Sequence, residues 1–124
     1  MPINSRTKGH AFERKIARAL RDIWFDAKRG LQSRGGGKDA CDVEGTPYHI
    51  ECKRERRVNI RTAMHQANED THGRPPIVIS QDDHGEILVT MQFKWWLTEQ
   101  VVAIGRNATK GTADAVGSPP EIKE

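Results

Sequence analysis

Residues 41–53 have the sequence CDVEGTPYHIECK, which predicts two short strands around a turn. The strands are residues 41–43 and 48–53, and glycine and proline lie in the connection between them. If the turn is symmetric, opposed residues have numbers that sum to 93, which places Asp42 opposite Glu51. Directly opposed residues share one face of a sheet, with Cβ atoms about 4.5–5.5 Å apart. Alternation along the second strand puts Lys53 on that same face.

This hairpin therefore predicts two carboxylates and an ammonium group at one place. Two close carboxylates repel each other unless a proton or a cation joins them. Carboxylate oxygens with open positions for water suit Mg²⁺ or Mn²⁺, and a lysine beside them can orient or deprotonate water or stabilise a phosphate. The set fits hydrolysis of a phosphodiester. The alternative interpretation is a surface strand with a cross-strand salt bridge.

The composition indicates one small polar domain. The chain has 124 residues, of which 35% are hydrophobic and 30% charged. Its longest apolar run, Val101–Ile104, is far shorter than the ~20 residues of a membrane helix. No secretory signal is visible at the N-terminus, and two cysteines do not make a disulfide framework. We therefore expect no membrane association and a cytoplasmic protein, or one in the host cytoplasm if a phage encodes it.

The charge is unevenly distributed along the chain. The net charge is +3, but residues 1–61 contain 15 of the 20 Lys and Arg residues and 8 of the 17 Asp and Glu residues. The first half thus carries +7 and the second half −4. Concentrated positive charge suits a phosphate backbone, although a solvated basic surface would have the same composition.

The rest of the sequence predicts three helices and a second hairpin. Apolar residues recur with the 3.6-residue period over 7–24 and 59–70, and a third helix is predicted over 93–102. Residues 77–80 and 86–91 predict the hairpin. Helices covering a mixed sheet give an α/β or α+β sandwich. We expect this domain to occupy residues 1–106 and residues 107–124 to form a mobile tail.

The motifs in combination resemble the PD-(D/E)XK nuclease superfamily. They are Glu13 in the first helix, Asp42, the run Glu51-Cys52-Lys53, and Gln66 in the second helix. Within the superfamily, KGHAFERKIARAL at residues 8–20 is similar to the first helix of archaeal-type Holliday junction resolvases. The glycine-rich segment at 33–39, followed by Asp-Val and then Ile-Glu-Cys-Lys, is also similar to them. The resemblance covers roughly residues 7–91.

The resemblance implies a single-domain restriction-endonuclease-like fold, with a central mixed β-sheet flanked by helices. Asp42 and Glu51 would be metal ligands, Lys53 the catalytic lysine, and Glu13 a further member of the acidic cluster. Ser33 would match a loop serine near the active site, and Gln66 a helix residue that supports the site or touches DNA. The resemblance also implies a homodimer that cuts symmetric strands of a junction. From the carboxylate oxygens we expect a Mg²⁺ cofactor, for which Mn²⁺ could substitute.

Several residues have competing interpretations. Asp39 could replace Asp42 as the ligand, but it does not fit the hairpin register. Arg34 and Lys38, in a glycine-rich loop without Walker spacing, predict either DNA contact or a plain surface loop. The basic residues after Lys53 predict contact with the DNA backbone or a solvated surface. They are Arg54, Arg56, Arg57 and Arg61.

Three further expectations concern the cysteines, the third helix and the assembly. Cys41, His49 and Cys52 lack zinc-ligand spacing, and the cysteines are better explained as core residues. The third helix is expected to bury Phe93, Trp96, Leu97 and Val101. A dimer contact is expected on an apolar surface formed by Ile77, Ile79, Leu88 and Met91 with Trp95 or Trp96.

We therefore predict a metal-dependent DNA endonuclease, most similar to a Holliday junction resolvase acting in DNA recombination. The enzyme alternative is an endonuclease for nicked, flapped, single-stranded or duplex DNA. The alternative from another class is a non-catalytic DNA-binding module on the same scaffold. Clustered carboxylates beside a phosphate argue against that module, because binding alone does not need them.

Overall fold

A computed structural model describes residues 5–30, 41–69, 71 and 73–107 of the chain. The described residues fall into two compact units, the first ending at Met91 and the second beginning at Gln92. The elements, in chain order, are α1 (Ser5–Leu20), β1 (Lys28–Arg29), β2 (Val43–Glu44), β3 (His49–Glu55), α2 (Ile60–Ala67), β4 (Pro76–Asp82), β5 (Leu88–Met91) and α3 (Phe93–Asn107).

The first unit is a five-stranded mixed sheet with strand order β1-β2-β3-β4-β5. The β3 and β4 strands are parallel, and the other neighbours are antiparallel. Parallel strands need a crossover connection, and α2 provides it. The observed order of helices and strands agrees with the predicted α/β architecture.

The two faces of the sheet carry different helices. On one face, Phe12, Ile16 and Ala17 of α1 pack against a core that includes Ile50 and Ile79. On the other face, Ala63 and Ala67 of α2 pack against Val78. Because side chains alternate along a strand, a residue's position in β3 or β4 decides which helix it faces.

The turn between β2 and β3 requires glycine at position 45. Gly45 has a φ of +84°, in the left-handed region that residues with a Cβ rarely adopt. A Cβ atom at this position would lie 2.1 Å from the backbone oxygen of Asp26. The turn is therefore closed against the segment that precedes β1, which fixes the hairpin beside the sheet edge.

The first helix is shorter than predicted. It ends at Leu20, whose carbonyl then accepts bonds from the amides of Ile23 and Trp24 at 2.9 and 2.8 Å. This closing turn breaks the helical period, so Ile23 is 68% exposed. Trp24 instead packs edge-to-face against Tyr48, with ring centroids 5.5 Å apart.

The predicted second hairpin is present as β4 and β5, but the dimer surface predicted on it needs correction. Ile77 and Ile79 are buried in the core facing α1, so they cannot form a surface for a second subunit. Leu88 and Val89 are exposed on β5, a strand at the edge of the sheet.

In the second unit, α3 extends to Asn107, five residues beyond its predicted end. Phe93 and Trp96 stack on each other with ring centroids 6.0 Å apart. Both side chains, and that of Val101, are exposed rather than buried as predicted. Residues 108–124 of the predicted tail lie outside the described residues. No helix in the described part of the chain combines the length and the apolar composition that a membrane span requires.

Candidate active site

The β2–β3 hairpin has the predicted register. Val43 pairs with Ile50, and the amide of Asp42 donates to the carbonyl of Ile50 at 2.8 Å. The next opposed pair is therefore Asp42 and Glu51. The side-chain Oδ2 of Asp42 also accepts the backbone N–H of Cys52 at 2.7 Å, which fixes the carboxyl group over β3.

The environment of Asp42 disfavours its ionised form. Its side chain is buried, with 7% exposure. Burial, followed by the negative charge of Glu51, raises the pKa of Asp42 to about 8, against the opposing bond from Cys52. A hydrogen bond between the Asp42 and Glu51 side chains acts in the same direction. These influences favour a proton on Asp42, as expected for one member of a close acidic pair.

Glu13 approaches this pair from α1. Its side chain is buried, and its Oε1 lies 3.4 Å from Nε of Arg29 in β1. Burial raises the pKa of Glu13, while the positive charge of Arg29 lowers it. Glu13 and Asp42 each raise the pKa of the Cys52 thiol after burial, the larger cause. These shared influences place Glu13 in the same electrostatic environment as Asp42 and Glu51.

Glu51 and Lys53 lie on the α2 face of β3. Glu51 pairs with Val78 of β4, and Val78 belongs to the cluster that packs under α2. Cys52, between them, packs against the core on the α1 face, as the alternation predicted. His49 precedes Glu51 on the α2 face, and its Nε2 lies 3.2 Å from Oε1 of Glu51.

Lys53 lines an open groove between β3 and α2. The groove has a volume of about 200 Å³ and also contains Glu55, Asn59 and Gln66. The position of α2 is fixed at its start, where Asn59 caps the helix by accepting the N–H of Thr62 at 3.1 Å. Gln66, further along this helix, borders the same groove as Lys53. Its role in supporting the site or touching DNA stays a prediction.

The acidic pair fits a divalent cation. Mg²⁺ is commonly held by one or two carboxylates and keeps several waters. Asp42 and Glu51 are such a pair. The pKa of Asp42 is raised first by burial and then by the negative charge of Glu51, and a dication would relieve that repulsion. Within residues 5–30, 41–69, 71 and 73–107, no group of three or more His, Cys, Asp or Glu side chains is arranged to hold a metal. The carboxylates that would hold an ion are Asp42 and Glu51, and Glu13 is ion-paired to Arg29.

A model of the family described as "Phage putative PDDEXK endonuclease" matches residues 4–112. The chain belongs to this family. The match and the five-stranded mixed sheet with its flanking helices confirm the predicted restriction-endonuclease-like fold and the PD-(D/E)XK superfamily. The family match does not show a similarity to archaeal-type Holliday junction resolvases, so that narrower similarity stays a prediction. No curated protein and no solved structure matches the chain.

The predicted DNA-binding residues of this PDDEXK protein differ in where they lie relative to the groove that contains Lys53. Arg56 and Arg57 are exposed after β3, and Arg61 is exposed in the first turn of α2. Arg54 lies on the α1 face, where it borders a second groove with Lys8 and Gln81 and pairs with Asp83. It is therefore on the opposite face of β3 from Lys53. The other predicted residues, and the alternative ligand, lie outside the described residues: Ser33, Arg34, Lys38 and Asp39.

Sequence reasoning missed two residues of the site. Arg29 lies in a two-residue strand, and its contact with Glu13 joins positions 16 residues apart in the chain. His49 was considered only as a zinc ligand, whereas the structure places it against Glu51. The strand alternation that places Glu51 and Lys53 together also includes His49, and this was the available indication.

Asp42 should make the metal-free PDDEXK protein less stable as the pH rises. Its folded pKa, about 8, is above the unfolded value of 3.8, so the folded state favours the protonated acid. That contribution to the free energy of unfolding is complete below about pH 4 and is lost as the pH rises through 8. Thermal unfolding in chelator should show a falling midpoint over this range.

Asp42→Asn should remove most of this pH dependence, because asparagine is neutral and keeps an oxygen for the Cys52 amide. At pH 8 the variant should unfold about 5 °C higher than the metal-free parent, or more. Mg²⁺ should raise the midpoint of the parent and not that of the variant. Equal pH profiles for both proteins in chelator would contradict a buried acidic pair.

Proposed function

We propose that this protein is a Mg²⁺-dependent DNA endonuclease that hydrolyses phosphodiester bonds in four-way junctions, acting as a homodimer. One observation supports the chemistry above all others. Asp42 and Glu51 are opposed across the β2–β3 hairpin, and Lys53 follows on the same face of β3 beside an open groove.

Each residue of this set has a distinct role in the proposed reaction. Asp42 and Glu51 would hold the metal. A bound Mg²⁺ supplies a more acidic water and neutralises charge on the phosphate. Lys53 would orient or deprotonate the attacking water, or stabilise the negative charge that develops on the phosphate. Glu13 would complete the acidic cluster behind Asp42, with Arg29 holding its carboxylate.

The charge around the groove supports a nucleic-acid substrate. Arg56 and Arg57 are exposed between β3 and α2, and Arg61 is exposed in the first turn of α2. In the chain they alternate with groove residues, which include Glu55, Val58 and Thr62. Arginine side chains of this kind bind phosphates and position a duplex without reading its sequence. A DNA substrate also implies action in the cytoplasm, or in that of the host for a phage-encoded protein.

The junction and the dimer are proposed together. Each chain has one Asp42–Glu51–Lys53 set, and symmetric resolution of a junction needs two sites related by a two-fold axis. The exposed edge strand β5, with Leu88 and Val89, is the apolar surface that we propose for the contact. It replaces the predicted surface that contained Ile77 and Ile79, which are buried.

One gel tests the proposed substrate. The protein is incubated with Mg²⁺ and equimolar four-way junction, nicked duplex, flapped duplex, linear duplex and single strand. We expect paired symmetric nicks in the junction. Light scattering should give twice the 14.0 kDa chain mass.

The other outcomes of the gel are equally informative. Cleavage of another structure instead of the junction would replace the proposed substrate by that DNA. A protein that stays monomeric with junction bound would contradict paired cleavage. DNA binding without cleavage of any substrate would indicate a non-catalytic DNA-binding module.

A further inference from the structure

His49 is a buried polar side chain on the α2 face of the sheet. It is 2% exposed and lies at the start of β3. Its backbone is held against the start of β4, because its amide donates to the carbonyl of Pro75 at 3.0 Å and the residue pairs with Pro76 of β4. The backbone that carries the ring is therefore fixed, and the ring lies two residues before Glu51 on the same face of β3.

The direct polar partner of the ring is Glu51. Nε2 of His49 lies 3.2 Å from Oε1 of Glu51, whereas Nδ1 is buried and has no hydrogen-bond partner within the described residues. A ring that carries its proton on Nε2 donates it to Oε1 of Glu51, because a carboxylate oxygen only accepts hydrogen bonds. A polar ring buried with one nitrogen unpaired costs free energy that an apolar residue would not. Stability alone therefore does not explain a histidine here.

We propose that His49 is a positioning residue that holds one carboxylate oxygen of Glu51 and thereby orients the other toward the metal. The inference rests on the proposed metal-dependent function. The bond adds to the one that the Glu51 side chain makes with Asp42, and it engages Oε1 in particular. With Oε1 engaged by a ring fixed in the sheet, Oε2 is the oxygen left for a cation. Hydrogen-bonded partners of metal ligands contribute in this way to metal affinity.

The test measures Mn²⁺ affinity without DNA, by the loss of the free-ion signal in electron paramagnetic resonance. His49→Leu removes the donor while keeping an apolar side chain of similar size. It should weaken Mn²⁺ binding by about tenfold to a hundredfold. His49→Gln, whose amide nitrogen can reach the same position as Nε2, should restore most of the affinity. His65→Leu is the matched control, since His65 is exposed on α2 with its side chain 82% accessible.

The outcomes separate this inference from the proposed function. A parent protein that binds no Mn²⁺ would overturn both. A parent that binds Mn²⁺ with the same affinity as His49→Leu would overturn the role of His49 alone. Should His49→Leu fail to fold, His49→Asn takes its place, because its shorter amide approaches the position of Nδ1 and not that of Nε2. Parental affinity in His49→Asn would then overturn the inference, and loss in Asn with rescue in Gln would support it.

Discussion

Asp42→Asn is expected to lower DNA cleavage by about a thousandfold or more. A divalent metal contributes several kcal/mol to phosphodiester hydrolysis, and each 1.36 kcal/mol is a factor of ten in rate. Asparagine keeps the shape of Asp42 and an oxygen for the Cys52 amide, which lies 2.7 Å from Oδ2, but it removes the charge that attracts the metal. DNA binding should be retained, because one negative charge beside the phosphate is lost. Single-turnover cleavage and a binding titration measure the two effects.

Matched variants make this result specific to the pair. Glu51→Gln should have the same effect, since Glu51 is the opposed carboxylate. Glu44→Gln, two residues after Asp42 on the same face of β2, should cleave at the parental rate. Asp39→Asn should also cleave normally, and its inactivity beside an active Asp42→Asn protein would transfer the ligand role to Asp39. Parental rates in both Asp42→Asn and Glu51→Gln would reject the metal site.

The hairpin that carries the site could be predicted because its determinants are local. Alternation along β3 and a symmetric turn are sufficient to place Asp42 opposite Glu51, and the Val43–Ile50 pair confirms that register. The need for glycine at position 45 is only partly local. Its close approach to Asp26 depends on how the segment before β1 packs, which the hairpin sequence does not contain.

The contacts that the sequence did not predict join distant or ambiguous positions. Arg29 reaches Glu13 across the space between β1 and α1, and a two-residue strand carries no periodic pattern. The burial predicted for Phe93 and Trp96 failed for a different reason. Helical spacing identifies residues that share a face, but it does not establish that another surface covers that face. Both rings are exposed and contact each other instead.

Lys53→Ala is expected to lower cleavage by about a hundredfold to a thousandfold while leaving Mn²⁺ affinity at the parental value. Lys53 lies in the groove beside α2, on the same face as Glu51, and an ammonium group is not a metal ligand. Its loss should therefore affect the water or the phosphate and not the ion. Rapid-quench cleavage at saturating Mn²⁺, with the metal titration run in parallel, measures both. Lys28→Ala removes an exposed lysine from β1 and should keep the parental cleavage rate.

Lys53→Arg distinguishes the two roles open to the lysine. Arginine keeps the positive charge but does not deprotonate in proteins. If Lys53 stabilises negative charge on the phosphate, the arginine variant should recover part of the activity that alanine loses. If Lys53 must accept a proton from water, arginine should be as inactive as alanine. A fall in Mn²⁺ affinity in Lys53→Ala as steep as in Asp42→Asn would contradict both roles, because it would place Lys53 in the support of the metal itself.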